Sequence, residues 1–447
     1  MEETSKKLLG MVTISPEIFE QTKKEVTNIS NFRKKVQDFL NQKTTDLVDV
    51  ILSGSIIISS SDIHLEPQEE QARLRVRLDG VLQDVLFFDL KIYQTLLSRL
   101  KLLSKIKLNI TDKPQDGRFT ILINETPIEI RTSTLPSEYG ESVVMRILNP
   151  KSLIGLDGLG LRKDLLEIFK KEIKKPNGMI IVTGPTGSGK TTTLYAFLMK
   201  IQNPEIKIIT IEDPIEYHLK GISQTQVAPE KGYDFSQGLR SIVRQDPDII
   251  LVGEIRDLET AKIALQASLT GHLVLSTLHT NDAAGTIPRL VDLGADVSSI
   301  APALSMVVAQ RLVRKVCSKC VTLVKPSVKD LEEIKNGLKN LPKNIKIPSL
   351  DLPAVATALQ AGKDLKIPKI KGCTSCNETG YRGRKGLFEA FLIDDEIERF
   401  ILTNPPVSAI RDLAIKKGMV TMYQSGLIDV VGGETTLEEV KRMVGEG

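Results

Sequence analysis

The sequence predicts an α/β protein: a large domain built on a parallel, helix-covered sheet, with a smaller α+β domain before it. Three observations lead to this class. From residue 161 onward, short β-branched runs alternate with helical segments, as in sheets buried on both faces. Residues 46–150 contain alternating apolar and polar runs separated by turn residues, as in antiparallel sheets. The four cysteines form two Cys-x-x-Cys pairs, which predicts a metal-binding insertion.

Length and composition narrow the class of protein. A chain of 447 residues is long for one domain, so two or three are expected. Hydrophobic residues make up 41% and charged residues 26%, which excludes disordered and collagen-like classes. No apolar run approaches the roughly 20 residues that span a bilayer, and the first residues lack a signal-peptide core. We therefore expect a cytoplasmic protein, with docking to a membrane surface left open.

Charge and aromatic content argue against a nucleic-acid partner. The chain has 60 basic and 56 acidic residues, a net charge of +4, and this balance does not by itself indicate a nucleic-acid-binding surface. Trp is absent and aromatic residues make up only 4%, so a stacking platform for single strands is not expected.

The smaller domain is predicted element by element. Residues 1–45 are polar and Lys-rich with sparse apolar spacing, and we expect short helices that act as a tether. Apolar residues at helical spacing predict a helix over 45–58. Alternating runs on both sides of Asp79-Gly80 predict a β-hairpin over 72–85. Further predicted elements are a helix over 90–103 and strands over 119–123, 128–134 and 143–147.

The larger domain follows a Gly-rich segment, 151–160, which is predicted to be a linker. The domain itself is expected to cover 161–447. A metal element with a long Lys- and Pro-rich insertion is predicted over 314–385, and helices over 386–447. The predicted strands of its parallel sheet are 179–183, 206–211, 249–252 and 273–276.

The most specific motif is a phosphate-binding loop. The sequence fits G-x-x-x-x-G-K-S/T, follows a predicted strand and opens a predicted helix. Such a loop turns its backbone N–H groups toward phosphate oxygens, while its lysine reaches the β- and γ-phosphates and its hydroxyl holds Mg²⁺. The predicted nucleotide-binding residues are Gly184, Pro185, Thr186, Gly187, Ser188, Gly189, Lys190, Thr191 and Thr192.

Carboxylates for hydrolysis follow two other predicted strands. Glu254 comes just after one strand, and Glu216 lies in an acidic segment after another, which also contains Glu212 and Asp213. Strand ends beside the phosphate loop are where Mg²⁺ and the attacking water lie in such sheets. Helix capping or surface solvation remains the alternative, above all for Glu212 and Asp213.

Histidines form the third element of this site. The chain has only four, and His279 follows a predicted strand in the position expected of a γ-phosphate sensor. His272 precedes the same strand, and His218 lies beside the acidic segment. His64 is expected to be structural.

The two cysteine pairs predict a zinc site. Cys317 and Cys320 form the first pair, and Cys373 and Cys376 the second. Two such pairs supply the four thiolates of a closed tetrahedral zinc site. The insertion between them is long, but the entropic cost of closing a loop grows only logarithmically with length. A redox pair or disulfide is the alternative.

Taken together, these motifs resemble one family in order along residues 46–447: the type II secretion and type IV pilus assembly ATPases (GspE/PilB-like), within the secretion-motor superfamily of P-loop ATPases. The resemblance also rests on two N-terminal segments, Ser61–Pro67 and Gln115–Phe119. It implies a RecA-like ATPase domain, a PAS-like N-terminal domain, ATP bound between them and a homohexameric ring.

The resemblance also implies roles for individual residues. Thr191 and Glu254 would hold Mg²⁺, Glu216 would polarise the attacking water and His279 would sense the γ-phosphate. Arg118 and Arg131 would close on the nucleotide when the domains rotate together. Arg240 and Arg244 resemble ring-interface or ATP-site arginines. A surface salt bridge is the alternative for each arginine.

Partners follow from the same resemblance. It implies an inner-membrane platform protein at the ring centre, and a location at the cytoplasmic face of that membrane. Only about 45 residues precede the shared core, so docking to an inner-membrane recruitment protein stays open. The zinc element favours assembly or secretion, because pilus-retraction ATPases lack it. A DNA-uptake motor and a non-catalytic nucleotide-binding scaffold remain alternatives.

Overall fold

A computed structural model describes residues 11–342 and 365–445 of the chain. The chain divides into two compact units. Unit 1 consists of residues 1–152 and the short segment 371–382, and unit 2 of residues 153–370 and 383–447. The division after Ser152 falls inside the segment expected to be the linker. None of the helices in the described part of the chain is both long and apolar enough to cross a bilayer.

In its described residues, unit 1 is a seven-stranded sheet with four helices. Its strands lie in the order β1-β5-β6-β7-β2-β3-β4, and only β1 and β5 run parallel. The elements in chain order are β1 (Met11–Thr13), α1 (Pro16–Glu25), α2 (Ile29–Phe39), α3 (Thr44–Ile57), β2 (Asp62–Pro67), β3 (Gln71–Leu78), β4 (Val81–Asp89), α4 (Leu90–Leu103), β5 (Gln115–Ile123), β6 (Thr126–Ser137) and β7 (Gly140–Leu148).

The sequence patterns of unit 1 match these elements closely. The predicted hairpin is β3 and β4, joined by Asp79 and Gly80, which both have positive φ (49° and 84°) as the tight hairpin turn requires. Residues 11–45 do not behave as a tether. Phe19, Phe32 and Val36 are buried in the same core as the strands, because a few large side chains suffice to anchor two short helices.

Unit 2 is built on a second seven-stranded sheet, ordered β10-β9-β11-β12-β8-β13-β16. Its elements in chain order are α5 (Lys163–Glu172), β8 (Gly178–Thr183), α6 (Lys190–Ile201), β9 (Ile208–Glu212), β10 (Ser223–Gln226), α7 (Phe235–Val243), β11 (Ile249–Val252), α8 (Leu258–Leu269), β12 (Leu273–Leu278), α9 (Thr286–Asp292), α10 (Val297–Ala303), β13 (Leu304–Val316), β14 (Thr322–Val324), α11 (Val328–Leu338), β15 (Ile367–Lys369), β16 (Tyr381–Leu392), α12 (Asp395–Ile401), α13 (Val407–Lys416), α14 (Met422–Val431) and α15 (Leu437–Val444).

The central strands of this sheet are parallel and covered on both faces. All pairs from β10 through β13 run parallel. Along β8, Met179 and Ile181 pack with α7–α10, whereas Ile180 and Val182 pack with α5 and α6. Burial on both faces explains why these strands read as continuous apolar runs in the sequence.

One expectation for the C-terminal part differs from the structure. Residues 386–392 belong to strand β16 at the sheet edge and are not helical. Leu387, Phe388 and Phe391 are buried, so the apolar run that resembled a helix is a strand covered by neighbours. In the predicted insertion, β14 pairs with β15 and α11 packs on α14, while residues 343–364 lie outside the described part.

Candidate active site

The phosphate-binding loop is the tight turn between β8 and α6. Gly187 and Gly189 have φ of +79° and +89°, conformations that residues with a Cβ rarely adopt. A Cβ on Gly189 would also lie 2.8 Å from Nε2 of Gln310. The nine predicted loop residues therefore form one continuous turn that ends in the first turn of α6.

The loop has the features that bind phosphate. Its backbone leads into the N-terminus of a helix of 12 residues, where free N–H groups and the helix dipole favour an anion. The hydroxyl of Ser188 is buried and has no hydrogen-bond partner among the described residues. The space around Gly187 is open to at least 4 Å. This cradle fits the phosphates of a nucleotide.

Lys190 lies at the start of α6, with its ammonium folded over the loop. Its Nζ donates to the carbonyl oxygens of Gly184 (2.8 Å) and Pro185 (3.1 Å). Burial lowers the pKa of Lys190 to about 8; Glu254 opposes this shift and Arg311 adds to it. The lysine is thus held in a desolvated position where a phosphate would satisfy its charge.

Glu254 and His279 lie together beside this lysine. Glu254 is only 14% exposed, pairs with Arg256 and has its Oε2 3.5 Å from Nε2 of His279. Burial and the Lys190 ammonium lower the pKa of His279, while Glu254 acts in the opposite direction. The structure therefore brings Lys190, Glu254 and His279 into one electrostatic group.

Sheet topology explains this convergence. Strands β9, β11, β12 and β8 are adjacent and parallel, so their carboxyl ends meet at one edge. Glu254 follows β11, His279 follows β12 and the phosphate loop follows β8. Glu216, which is half-buried, lies in the segment after β9 on the far side of β11.

Gln310 and Arg311 of β13 support the loop, and sequence reasoning missed both. Gln310 accepts a hydrogen bond from Oγ1 of Thr193 (2.7 Å) on α6. The largely buried guanidinium of Arg311 donates to the carbonyl oxygen of Asn281 (3.0 Å), two residues after His279. The available sequence clue was a polar pair inside an otherwise apolar strand.

In unit 1, the predicted arginines lie in a row across the sheet. Arg118 of β5 is directly opposite Arg131 of β6, which is opposite Arg146 of β7. Arg146 is in turn opposite Asp62 of β2, whose Oδ1 accepts from its Nε (3.1 Å). Arg131 also pairs with a neighbouring glutamate. Sequence motifs identified the first two arginines but not Arg146, because strand register is not visible in a single segment.

Gly117 in the Asp-Gly-Arg motif of unit 1 has a packing role. A Cβ at this position would lie 2.2 Å from the carbonyl oxygen of Ser104, just after α4. The same carbonyl accepts the backbone N–H of Arg118 (3.2 Å). Glycine therefore lets β5 approach α4 closely and fixes the strand that carries Arg118.

Arg240 and Arg244 have surface contacts within the chain. Arg240 forms an ion pair with Glu259 of α8, and both side chains are more than half exposed. Arg244 donates to the hydroxyl of Ser241 (3.3 Å). Neither contact reaches the phosphate loop.

The other histidines show local roles. Nδ1 of His272 lies 2.9 Å from the carbonyl oxygen of Ala267, where it caps the end of α8. His64 is in β2, and burial lowers its pKa. His218 is exposed.

The four cysteines form a candidate metal centre. The sulfur atoms of Cys317, Cys320, Cys373 and Cys376 all lie within 4.8 Å of one another, and Cys317 and Cys376 are buried. The backbone N–H groups of Cys373 and Gly380 donate to the sulfur of Cys376 (3.2 and 3.3 Å), which orients this ligand atom. Four sulfur ligands without a fifth donor suit a structural zinc ion.

Comparison with protein families identifies relatives of the whole chain. A family described as "Type II/IV secretion system protein" matches residues 40–442. "Type II secretion system protein E" of Dickeya dadantii is 44% identical over 402 residues, covering 90% of this chain and 75% of that protein. The protein of the same name from Xanthomonas campestris pv. campestris is 41% identical over 398 residues, covering 89% and 66%.

A pilus protein is similar over the same region. "Type IV pilus assembly ATPase PilB" of Thermus thermophilus is 41% identical over 396 residues, covering 88% of this chain but only 42% of that protein. The chain thus spans about two thirds to three quarters of these two type II relatives and less than half of the pilus protein.

Solved structures share the fold. The Legionella pneumophila ATPase DotB superposes with a TM-score of 0.62 at 20% identity, covering 88% of this chain and 94% of that one. The pilus retraction motor PilT with bound ADP gives 0.57 at 26% identity, covering 88% and 95%. The expected RecA-like ATPase architecture is therefore confirmed.

Proposed function

We propose, from the premise that this chain belongs to the type II/IV secretion system protein family and is an ATP hydrolase, that it is a Mg²⁺-dependent hexameric motor for pilin or pseudopilin assembly. The observation that carries the proposal is the meeting of Lys190, Glu254 and His279 at the carboxyl edge of the unit 2 sheet. Relatives that match about 90% of the chain add the secretion context.

The residues at the carboxyl edge of the unit 2 sheet have separate roles in phosphoryl transfer. The loop N–H groups, Ser188 and Lys190 bind the β- and γ-phosphates. Thr191 and Glu254 would hold Mg²⁺, which would neutralise the charge that develops on the phosphates. Glu216 orients the attacking water, and His279 contacts the γ-phosphate. Each role is electrostatic or positional, which is what this reaction requires of a protein.

The arginines supply positive charge from outside the loop. We propose that Arg118 and Arg131 approach the nucleotide when the two domains come together, so that hydrolysis is coupled to motion. Their support is the cross-strand row in unit 1, where Arg118 is exposed. Arg240 and Arg244 would act at the interface between subunits of the ring, since both lie on an exposed surface.

The cysteine cluster is proposed to hold one structural zinc ion. A closed set of four thiolates leaves no open coordination position for chemistry. We expect about one zinc per purified chain by elemental analysis, and its loss in Cys376→Ser. The four cysteines are the only ones in the chain, so thiol titration reports directly on the site. Four thiols equally reactive before and after chelation would argue against bound metal.

The proposed setting is the cytoplasmic face of the inner membrane. A platform protein in that membrane would receive the rotation of the ring, and docking to a recruitment protein stays open. The family context supports this setting, and relatives named for secretion and for pilus assembly both match.

The test is phosphate release from ATP and Mg²⁺ at increasing protein concentration, with and without single-stranded DNA. We expect specific activity to rise with protein concentration, because an active site completed by a neighbouring subunit forms only on assembly. Single-stranded DNA should leave the activity unchanged. Lys190→Ala should lower activity at least about 100-fold. Lys200→Ala is the matched control, since Lys200 is exposed at the end of the same helix.

Three results would contradict parts of the proposal. Stimulation by DNA would favour a nucleic-acid translocase on the same core. Activity independent of concentration would argue against assembly-dependent sites. Tight nucleotide binding with no turnover in any condition, including with the membrane platform present, would indicate a scaffold.

A further inference from the structure

A buried carboxylate in unit 2 has no part in the proposed chemistry. Glu212 ends β9 and is only 3% exposed, whereas the neighbouring Asp213 is exposed. An isolated buried carboxylate is costly, so its hydrogen-bond partners indicate what it does. From the sequence alone, Glu212 could take part in catalysis or cap a helix.

Three side chains from three elements satisfy Glu212. Its Oε1 accepts from Oγ1 of Thr210 (2.5 Å) and from Nε2 of Gln224 (3.2 Å), which lies on β10. Its Oε2 accepts from the hydroxyl of Tyr195, which is fully buried on α6. The carboxylate is thus the centre of a network that joins the phosphate-loop helix to β9 and β10.

The same partners also hold the backbone that carries Glu216. Burial and Glu212 raise the pKa of the Tyr195 hydroxyl, and the nearby backbone N–H groups of Tyr217 and Glu216 act in the opposite direction. Nε2 of Gln224 donates to the carbonyl oxygen of Tyr217 (3.0 Å), and its Oε1 accepts the N–H of Leu219 (2.7 Å). Gln224 therefore holds the backbone of the segment after β9 at residues 217 and 219, directly after Glu216.

We propose that Glu212, Tyr195 and Gln224 are positioning residues, which hold the backbone of Glu216 in register with the phosphate-loop helix. Gln224 is the direct link, because its amide donates both to Glu212 and to the carbonyl oxygen of Tyr217, while the Tyr195 hydroxyl ties Glu212 to the phosphate-loop helix. The helix that begins at the phosphate loop and the segment that carries the water-orienting carboxylate then move as one body. This inference rests on the proposed role of Glu216.

The test combines Tyr195→Phe with Glu216→Gln. Tyr195→Phe removes one hydroxyl and leaves the ring packing, so Glu212 and the segment held through Gln224 lose their tie to the phosphate-loop helix. A misplacement of this kind costs up to about 100-fold in rate without affecting phosphate binding. We expect kcat to fall at least about 10-fold, while the dissociation constant of a fluorescent ADP analogue changes less than about twofold.

The double variant separates positioning from general stabilisation. If Tyr195 acts through Glu216, then Tyr195→Phe adds nothing further to the loss in Glu216→Gln. The matched control is Tyr93→Phe in unit 1, which removes an equally buried hydroxyl that donates to the carbonyl oxygen of Glu141. We expect that variant to keep the kcat of the parent chain. Gln224→Ala, at a half-buried position, is the second route should Tyr195→Phe not fold.

Glu212→Gln tests the carboxylate itself. A positioning role predicts a lower kcat with an unchanged half-saturating Mg²⁺ concentration, because the side chain touches neither metal nor phosphate. A higher Mg²⁺ requirement in Glu212→Gln would overturn the inference in favour of a metal ligand.

The remaining outcomes are equally distinct. If Glu216→Gln is inactive but Tyr195→Phe and Gln224→Ala keep the parent kcat, the inference fails and the role of Glu216 stands. Losses that multiply in the double variant would also overturn it. If Glu216→Gln keeps the parent kcat, the proposed role of Glu216 fails and the positioning role fails with it.

Discussion

The two sheets of the molecule present functional side chains in different ways. In unit 2, all six residues of β8 and of β12 are buried, and Lys190, Glu254 and His279 all lie beyond the carboxyl ends of strands. In unit 1, burial alternates along β3 and β6, and the polar residues stand on one face along the strand length. Parallel strands covered on both sides leave only their ends for chemistry, whereas a half-covered antiparallel sheet offers a whole face.

This difference decides what a sequence motif can reveal. Functional residues that follow the end of a strand lie in one contiguous segment of the sequence, such as the phosphate loop or the segment around Glu254. Side chains that share one face of a sheet come from several strands, and the register between those strands decides which of them are neighbours. Arg118, Arg131 and Arg146 are consecutive in space, although 13 to 15 residues separate neighbours in the chain. We therefore expect the strongest effects at the strand ends of unit 2 and smaller ones on the face of unit 1.

The largest effect is expected for Glu254→Gln. Loss of the carboxylate beside Lys190 and His279 should lower the rate of phosphate release at least about 100-fold, because in the proposed mechanism the Mg²⁺ that neutralises the developing charge would lose a ligand. Binding of a fluorescent ADP analogue should persist. Glu230→Gln, an exposed change after β10, is the control and should keep the parent rate. Equal rates in the two variants would contradict the proposal that residues at the strand ends of unit 2 carry out hydrolysis.

An intermediate effect is expected for Arg131→Ala. If the arginine row of unit 1 supplies charge to the nucleotide, kcat should fall at least about 10-fold while unit 1 stays folded. Arg77→Ala is the matched control on the same sheet. Arg77 pairs with Asp62, which also has Arg146 as a partner, so that change should leave kcat unaltered. Equal losses in both variants would show a structural and not a catalytic face.

The smallest effect is expected for Asp84→Asn. Asp84 pairs with Arg73 across β3 and β4, and both side chains are partly exposed. Exposed ion pairs contribute only about 0–1 kcal/mol, so the midpoint of urea unfolding at neutral pH should fall slightly. A loss well above that range would mean that this polar face stabilises the sheet more than a solvated surface does.

The pH dependence of the same pair has a defined sign. Arg73 lowers the pKa of Asp84 below its ordinary value of 3.8. A carboxyl whose pKa is lower in the folded state contributes stability above its unfolded pKa and loses it as pH falls further. The difference between Asp84→Asn and the parent chain should therefore shrink as the pH falls below 3.8 and vanish once the pH is below the lowered pKa of Asp84. A difference that persists there would point to packing instead of charge.

Most secondary structure was predictable because its patterns are local. The helix α4 and the hairpin of β3 and β4 follow directly from periodicity and from Asp79-Gly80. Two regions were not predictable in the same way. Strand β16 is buried by neighbours from distant parts of the chain, so its apolar run did not distinguish strand from helix. Helices α1 and α2 are anchored by a few large side chains, which a polar segment does not reveal.

The candidate site shows the same division. Lys190, Glu254 and His279 were predicted from motifs, and the structure groups them. Arg311, Gln310 and Tyr195 were not predicted. Each contacts the site from another strand or from the inner face of a helix, where a polar residue in an apolar run is the only trace in the sequence.

The sequence by itself determined the chemistry available to this protein: a phosphate loop, a strand-end carboxylate with a histidine, and four thiolates at metal-binding spacing. These depend on residue type and short spacing, which the chain carries locally. The tertiary structure alone decided strand order and register. Those two choices align Arg146 with Arg131, bring β11 between β9 and β12 and place Tyr195 against Glu212. Such contacts join residues far apart in the chain, and they form only when burial of the two cores brings the strands and helices together.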